Sequence, residues 1–154
     1  MFRDRNPIQV CQSYLQDLYV CLRRIDPALF SALAHLDYLA KGFGATYLPD
    51  GLFRYAYAPD EMDALMRYAI EHGHCIEINT SCPQSLCGND APVLGWLKRY
   101  HELGGEFVTF GSDAHQVRRF GEGLELAKER AREAGIRYVA TYTAMQPELH
   151  LLWD

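Results

Sequence analysis

The chain has 154 residues, enough for one domain with a hydrophobic core and short for two. Hydrophobic residues make up 49% and charged residues 23%, a balance that excludes global disorder. A formal net charge of −5, with no run of like charges, argues against a nucleic-acid-binding surface.

The opening segment, Met1-Phe2-Arg3-Asp4-Arg5-Asn6-Pro7, is polar and lacks the apolar stretch of a signal peptide. No segment approaches the roughly 20 apolar residues that span a bilayer, so a cytoplasmic protein with no membrane partner is expected. Five cysteines, odd in number and scattered, suit reduced thiols better than a disulfide framework. Cys82 and Cys87 have no second pair with which to form a zinc knuckle.

Along the chain, Ile8 to Ile25 reads as a helix, because Cys11, Tyr14 or Leu15, Leu18, Leu22 and Ile25 recur at three- and four-residue steps. Asp26-Pro27 should end it, since the residue before proline is pushed out of the helical region. Ala32-Leu33-Ala34 then leads into His35-Leu36-Asp37, a short run suited to a buried strand. Lys41 to Pro59, rich in glycine, proline and aromatic residues, reads as a long loop. A helix from Pro59 or Asp60 to about His72 comes next, stopped by Gly73, and Cys75 to Asn79 is a strand. Asp90-Ala91-Pro92 opens a second such helix, ended by Gly104-Gly105 before the strand Phe107 to Phe110. A third runs from about Gly121 to Ala134, ahead of the strand Tyr138 to Tyr142. Strands alternating with helices of this length imply βαβ units and an α/β fold of about four parallel strands, half of a (β/α) barrel or a small open sheet, in one domain over residues 1–154.

In both architectures functional residues gather at the carboxyl ends of the strands. The polar residues fall there in succession: His35 and Asp37 after the first strand, Glu77, Asn79 and Ser81 after the second, Asp113 and His115 after the third. In Asp113-Ala114-His115, residues two apart point the same way in extended backbone, so a carboxylate and an imidazole face one cavity. Both are ligands for Zn²⁺, Mn²⁺ or Fe²⁺. The structural reading beside it is a surface turn in which Ser112 or Asp113 caps a helix. For His35 that reading is a core histidine bonded to a carbonyl. For Glu77, whose burial in a strand demands a partner, it is an ion pair with Arg54 or Arg118. His72, His74, His101 and His150 read as structural or solvated, and Trp96 and Trp153 as core.

Together, His35-Leu36-Asp37, Glu77-Ile78-Asn79-Thr80-Ser81 and Gly111-Ser112-Asp113-Ala114-His115, with Leu103-Gly104-Gly105 before the last of them, resemble the later motifs of the PHP-family metal-dependent phosphoesterases, in the histidinol-phosphatase branch. The likeness covers residues 8–142. It implies a partial barrel of the distorted PHP (β/α)₇ type and hydrolysis of histidinol phosphate, with divalent metal (Mn, Zn or Fe) at the carboxyl face. By position it makes His35, Asp113 and His115 metal ligands, with Asp113 and His115 catalytic. Glu77, Asn79 and Ser81 would line the substrate pocket, and Arg118 would help hold a phosphorylated small molecule. Catalysis would be attack of a metal-activated water on phosphorus, with cations neutralising the charge that develops.

The family's opening His-x-His motif and the histidines and glutamate that come after it have no counterpart here, so the chain resembles only the carboxyl-terminal half. Cys82-Pro83-Gln84 stands after Ser81 where the branch tends to have glycine and then an arginine suited to phosphate. Two readings are open: a phosphomonoesterase completed by a homodimer partner or a missing N-terminal half, and an inactive truncated remnant, folded and able to dimerise, that serves as an interaction or weak metal- or phosphate-binding module. Half a barrel leaves sheet edges and an apolar inner face uncovered, which favours association in either case.

Overall fold

The computed structural model describes residues 6–41 and 46–153. The first five residues and residues 42–45 of the expected loop lie outside them.

Helix α1 spans Pro7–Leu22. Asn6 caps it by accepting the Ile8 N–H at 2.9 Å, and Pro7 occupies the first turn, where its missing N–H costs nothing. It ends three residues before the expected Ile25, because Asp26 caps a separate short turn at Pro27–Leu29 instead. Strand β1 is only Ala32–Leu33, and His35-Leu36-Asp37 lies beyond it in a turn rather than within a strand. Helix α2 (Pro59–Glu71) and strand β2 (Cys75–Asn79) match the expected positions, with Gly73 at φ +70° making the stop between them. Helix α3 (Pro92–Glu102) and strand β3 (Phe107–Gly111) do likewise. Helix α4 begins at Leu124, later than expected, since Gly121 and Gly123 both take positive φ; it ends at Glu133. Strand β4 is Tyr138–Thr143.

Strands β1 to β4 are parallel and in sequence order, joined by right-sized helical crossovers. A fifth strand, β5 (Gln146–Leu151), pairs antiparallel with β4 at the sheet edge. Its two-residue turn, Ala144-Met145, has both φ values positive, a geometry ordinarily signalled by Asn-Gly. Neither residue carries that signal, so β5 is invisible to local pattern reading.

Ile76, Ile78 and Val108 point to one side of the sheet and are fully buried with Leu65, Met66, Leu97 and Trp96 of the helices. Successive helices pack side by side: α1 on α2, α2 on α3, α3 on α4. The opposite side carries Cys75, Glu77 and Asn79 from β2, beside Thr109 and Gly111 of β3. The β4–β5 hairpin reaches back to the segment before β1: Tyr142 OH donates to Ser31 O at 2.9 Å and lies 3.1 Å from Cys75 Sγ. All five cysteines are free. Among the described residues no helix is long and apolar enough to cross a membrane.

Candidate active site

The carboxyl ends of β1, β2 and β3 open on one side, and six of the expected residues, His35, Glu77, Asn79, Ser81, Asp113 and His115, meet there. Register places Asn79 opposite Gly111, so the last residue of β2 faces the last of β3, immediately before Ser112-Asp113. Asn79 is the hub, with 7% of its surface exposed. Its Nδ2 donates to Glu77 Oε2 at 3.2 Å and to His35 Nε2 at 3.1 Å. Its Oδ1 accepts from the Ser81 N–H at 3.0 Å and from the Ser81 hydroxyl. Two donors on the oxygen fix which way the amide points, and an amide nitrogen can only donate. His35 Nε2 must therefore be an acceptor, with its proton on Nδ1.

Glu77 Oε2 also takes the His35 backbone N–H at 3.2 Å. This meets the burial demand for a partner without either arginine suggested by the sequence: Arg54 binds Asp50 and, at 2.8 Å, Asp90. Gly111 makes the arrangement possible. A Cβ there would run into Glu77 Oε1 and sit 3.5 Å from Asn79 Nδ2, so close approach, rather than an unusual dihedral, requires glycine.

Asp113 completes the cluster. Its Oδ2 lies 3.6 Å from His35 Nε2 and is in contact with Lys41 Nζ; its Oδ1 is 3.4 Å from His115 Nε2. The Lys41 ammonium, above all, holds the Asp113 carboxyl below the usual range. His115 is at the mouth, its side chain 88% exposed. Asp37, also buried, has its carboxyl pushed up by burial, an effect opposed by a backbone hydrogen bond and one from Ser85 and reinforced by Glu77.

His35 and Asp113 both have left-handed backbone, at φ 52° and 49°. The other non-glycine residues of this kind among those described are the two of the β4–β5 turn. Strain of this sort costs on the order of 1–3 kcal/mol at each position and persists where surrounding structure over-determines it. Here it turns two side chains from different loops toward one another.

Arg118 stands apart from this cluster. It is exposed, and its Nε donates to Gln116 Oε1 at 2.8 Å. Its neighbour Arg119, bound to Glu122, is the one whose charge interacts with Asp113. Ser81 and Lys41 also line an open cleft of about 410 Å³, together with Asp50, Gly51, Cys82 and Gln84. In the sequence Lys41 is merely the first residue of a loop; nothing local links it to Asp113, 72 positions away.

Imidazole and carboxylate are the donor types that suit a divalent ion, but the described residues do not by themselves make a metal centre. No three His, Cys, Asp or Glu side chains among them converge as a metal-holding group. Two of the atoms that could serve are engaged by protein donors, His35 Nε2 by Asn79 and Asp113 Oδ2 by Lys41.

No family model matches the chain. A probable histidinol-phosphatase of Clostridium acetobutylicum is 32% identical over 133 residues, which cover 85% of this chain and 49% of that protein. A probable histidinol-phosphatase of Thermotoga maritima is 27% identical over 134 residues, 87% of this chain and 52% of its own length. Among solved structures, the histidinol phosphate phosphatase of Lactococcus lactis, crystallised with zinc, L-histidinol and phosphate, superposes with a TM-score of 0.75. It shares 19% identity and covers 96% of this chain and 54% of its own, a likeness of fold. The chain spans about half the length of the curated relatives it matches. Over that half it is similar in sequence to the histidinol-phosphatases, the proteins whose later motifs its own resemble.

Proposed function

We propose that this chain forms, as one domain, about half of the active site of a cytoplasmic phosphomonoesterase acting on a phosphorylated small molecule, with histidinol phosphate the substrate suggested by kinship. The observation that carries the reading is the meeting of His35, Glu77, Asn79 and Asp113 within hydrogen-bonding or ion-pair distance at the ends of neighbouring parallel strands. The remaining donors come from outside the described residues, either from a second copy of the chain or from the other half of the enzyme.

In that site His35, Asp113 and His115 would hold a divalent ion (Zn, Mn or Fe), which supplies positive charge to the phosphoryl oxygens. The protein's own contributions are orientation and charge. Asn79 fixes the tautomer of His35 and the position of Glu77, and Ser81 fixes Asn79. Asp113 and His115 face the reacting group, and Arg118 with Arg119 brings cations to the rim for the phosphate. A second reading, a folded non-catalytic module able to dimerise, is favoured by the absence of a three-donor group among the described residues.

Bound metal after purification and turnover of p-nitrophenyl phosphate and histidinol phosphate in Mn²⁺ separate the two. Turnover abolished by His115→Ala supports the enzyme. Less than about a tenth of an equivalent of metal, with no His115-dependent turnover after mixing with the N-terminal half of a full-length histidinol-phosphatase, leaves the module. Sedimentation as a monomer at micromolar concentration removes the second copy as the source of donors.

A further inference from the structure

Asp113 is held in a costly backbone conformation, and the group its carboxylate meets is an ammonium. Lys41 comes directly after the short turn Tyr38–Ala40, its own N–H bonded to Tyr38 O at 3.1 Å, so its backbone is fixed by the segment that also positions His35. Its Nζ contacts Asp113 Oδ2, the oxygen nearest His35 Nε2. His35 cannot donate from that nitrogen, because the Asn79 amide already occupies its lone pair. The cationic partner in contact with the inner oxygen of Asp113 is therefore Lys41. A lysine ammonium and a divalent ion compete for the same carboxylate lone pairs.

We infer that Lys41 is a built-in cation that occupies the metal position at Asp113 and sets how tightly the half-site takes a divalent ion. The inference rests on the reading of His35 and Asp113 as metal donors and adds a residue which that reading lacks. It accounts for two features together. The inner oxygen of Asp113 carries a cation without a metal, and the His35 nitrogen nearest to it is occupied by the Asn79 amide. Metal entry requires the Lys41 side chain, one-third exposed, to swing out toward the cleft it shares with Ser81. Its four-carbon stem and freely hydrated head suit it to that movement.

The test uses Co²⁺ alone as the probe, followed by calorimetry and by its visible absorption, with the full chain and the variants Lys41→Met, Lys41→Arg and Lys41→Met/Asp113→Asn. Removing the ammonium should tighten Co²⁺ binding by at least about tenfold, roughly one charge-assisted hydrogen bond. Lys41→Arg should stay at the parental level, and the double variant should fall back to it. Thermal melting with and without Co²⁺ reports folding: Lys41→Met should melt no higher than the parent alone and gain more on metal addition. Equal, Asp113-dependent affinity in parent and Lys41→Met overturns the role of Lys41 and leaves the donor reading intact. No Asp113-dependent Co²⁺ binding in any variant overturns both. If Lys41→Met does not fold, Lys41→Gln is measured in its place against the same outcomes.

Discussion

The two ends of one sheet face are made from the same strands and behave in opposite ways. At the amino ends of β1 and β2, Ser31 and Cys75 meet the hydroxyl of Tyr142, which reaches across from near the carboxyl end of β4, and the three close on each other with neutral groups. Burial pushes the Cys75 thiol up to about 11 and the Tyr142 hydroxyl upward too, so both stay protonated across the physiological range. At the carboxyl ends, two residues further along β2, Glu77 and Asn79 hold His35 beside Asp113, where backbone strain and ion pairs concentrate. One end ties the hairpin to the sheet; the other spends conformational energy on presenting charged groups. Burial and alternation are common to both. The connections separate them: helices lead into the amino ends of β2, β3 and β4, while extended loops leave the carboxyl ends of β1, β2 and β3.

The hardest blow should fall on the support that both ends share. Ile78 lies on the buried side of β2, behind the site, and Ile78→Ala should cost about 2–5 kcal/mol in denaturant unfolding. A smaller loss would mean that the helical layer does not carry the face. Tyr142→Phe should cost about 1 kcal/mol, since Ser31 O loses its donor, while Co²⁺ binding stays unchanged. An altered affinity in that variant would show that the two ends are coupled.

At the strained end, His35→Gly should be more stable than His35→Ala by about 1 kcal/mol, because only glycine accepts φ 52° without penalty. If alanine proves as stable as glycine, the strain is not real. The smallest effect belongs to His74, buried against Phe30 just before the amino end of β2. Burial, with help from His72, lowers its pKa below the ordinary 6.5, so the unfolded chain takes up the proton first. Its contribution to stability is complete above 6.5 and is lost as pH falls toward the folded value. His74→Phe should therefore flatten stability over that interval, and an unchanged pH profile would contradict the assignment. Finally, iodoacetamide near neutral pH should label the exposed Cys21 and Cys87 and spare Cys75, as read by peptide mass spectrometry.

Periodicity alone locates α2, α3, β2, β3 and β4 closely, because their boundaries are written in proline, glycine and alternating apolar residues. It places His35-Leu36-Asp37 in a strand, since a short apolar run looks the same in a strand as in a buried turn. It misses β5 because Ala144-Met145 adopts a tight turn without the residues that usually encode one.

For the site, the kinds of residue and their address were legible: parallel strands carry function at their carboxyl ends, and His35, Glu77, Asn79, Asp113 and His115 all fall there. Their partners were not. That Asn79 governs the others, that Glu77 is satisfied by a backbone N–H rather than an arginine, and that Lys41 faces Asp113 depend on register between strands and on loop conformation. Sequence determines which groups a strand end carries, because side-chain direction is set by local backbone geometry. Which group meets which is decided by contacts between residues more than forty positions apart, as between His35 and Asn79, and only the packed sheet brings those together.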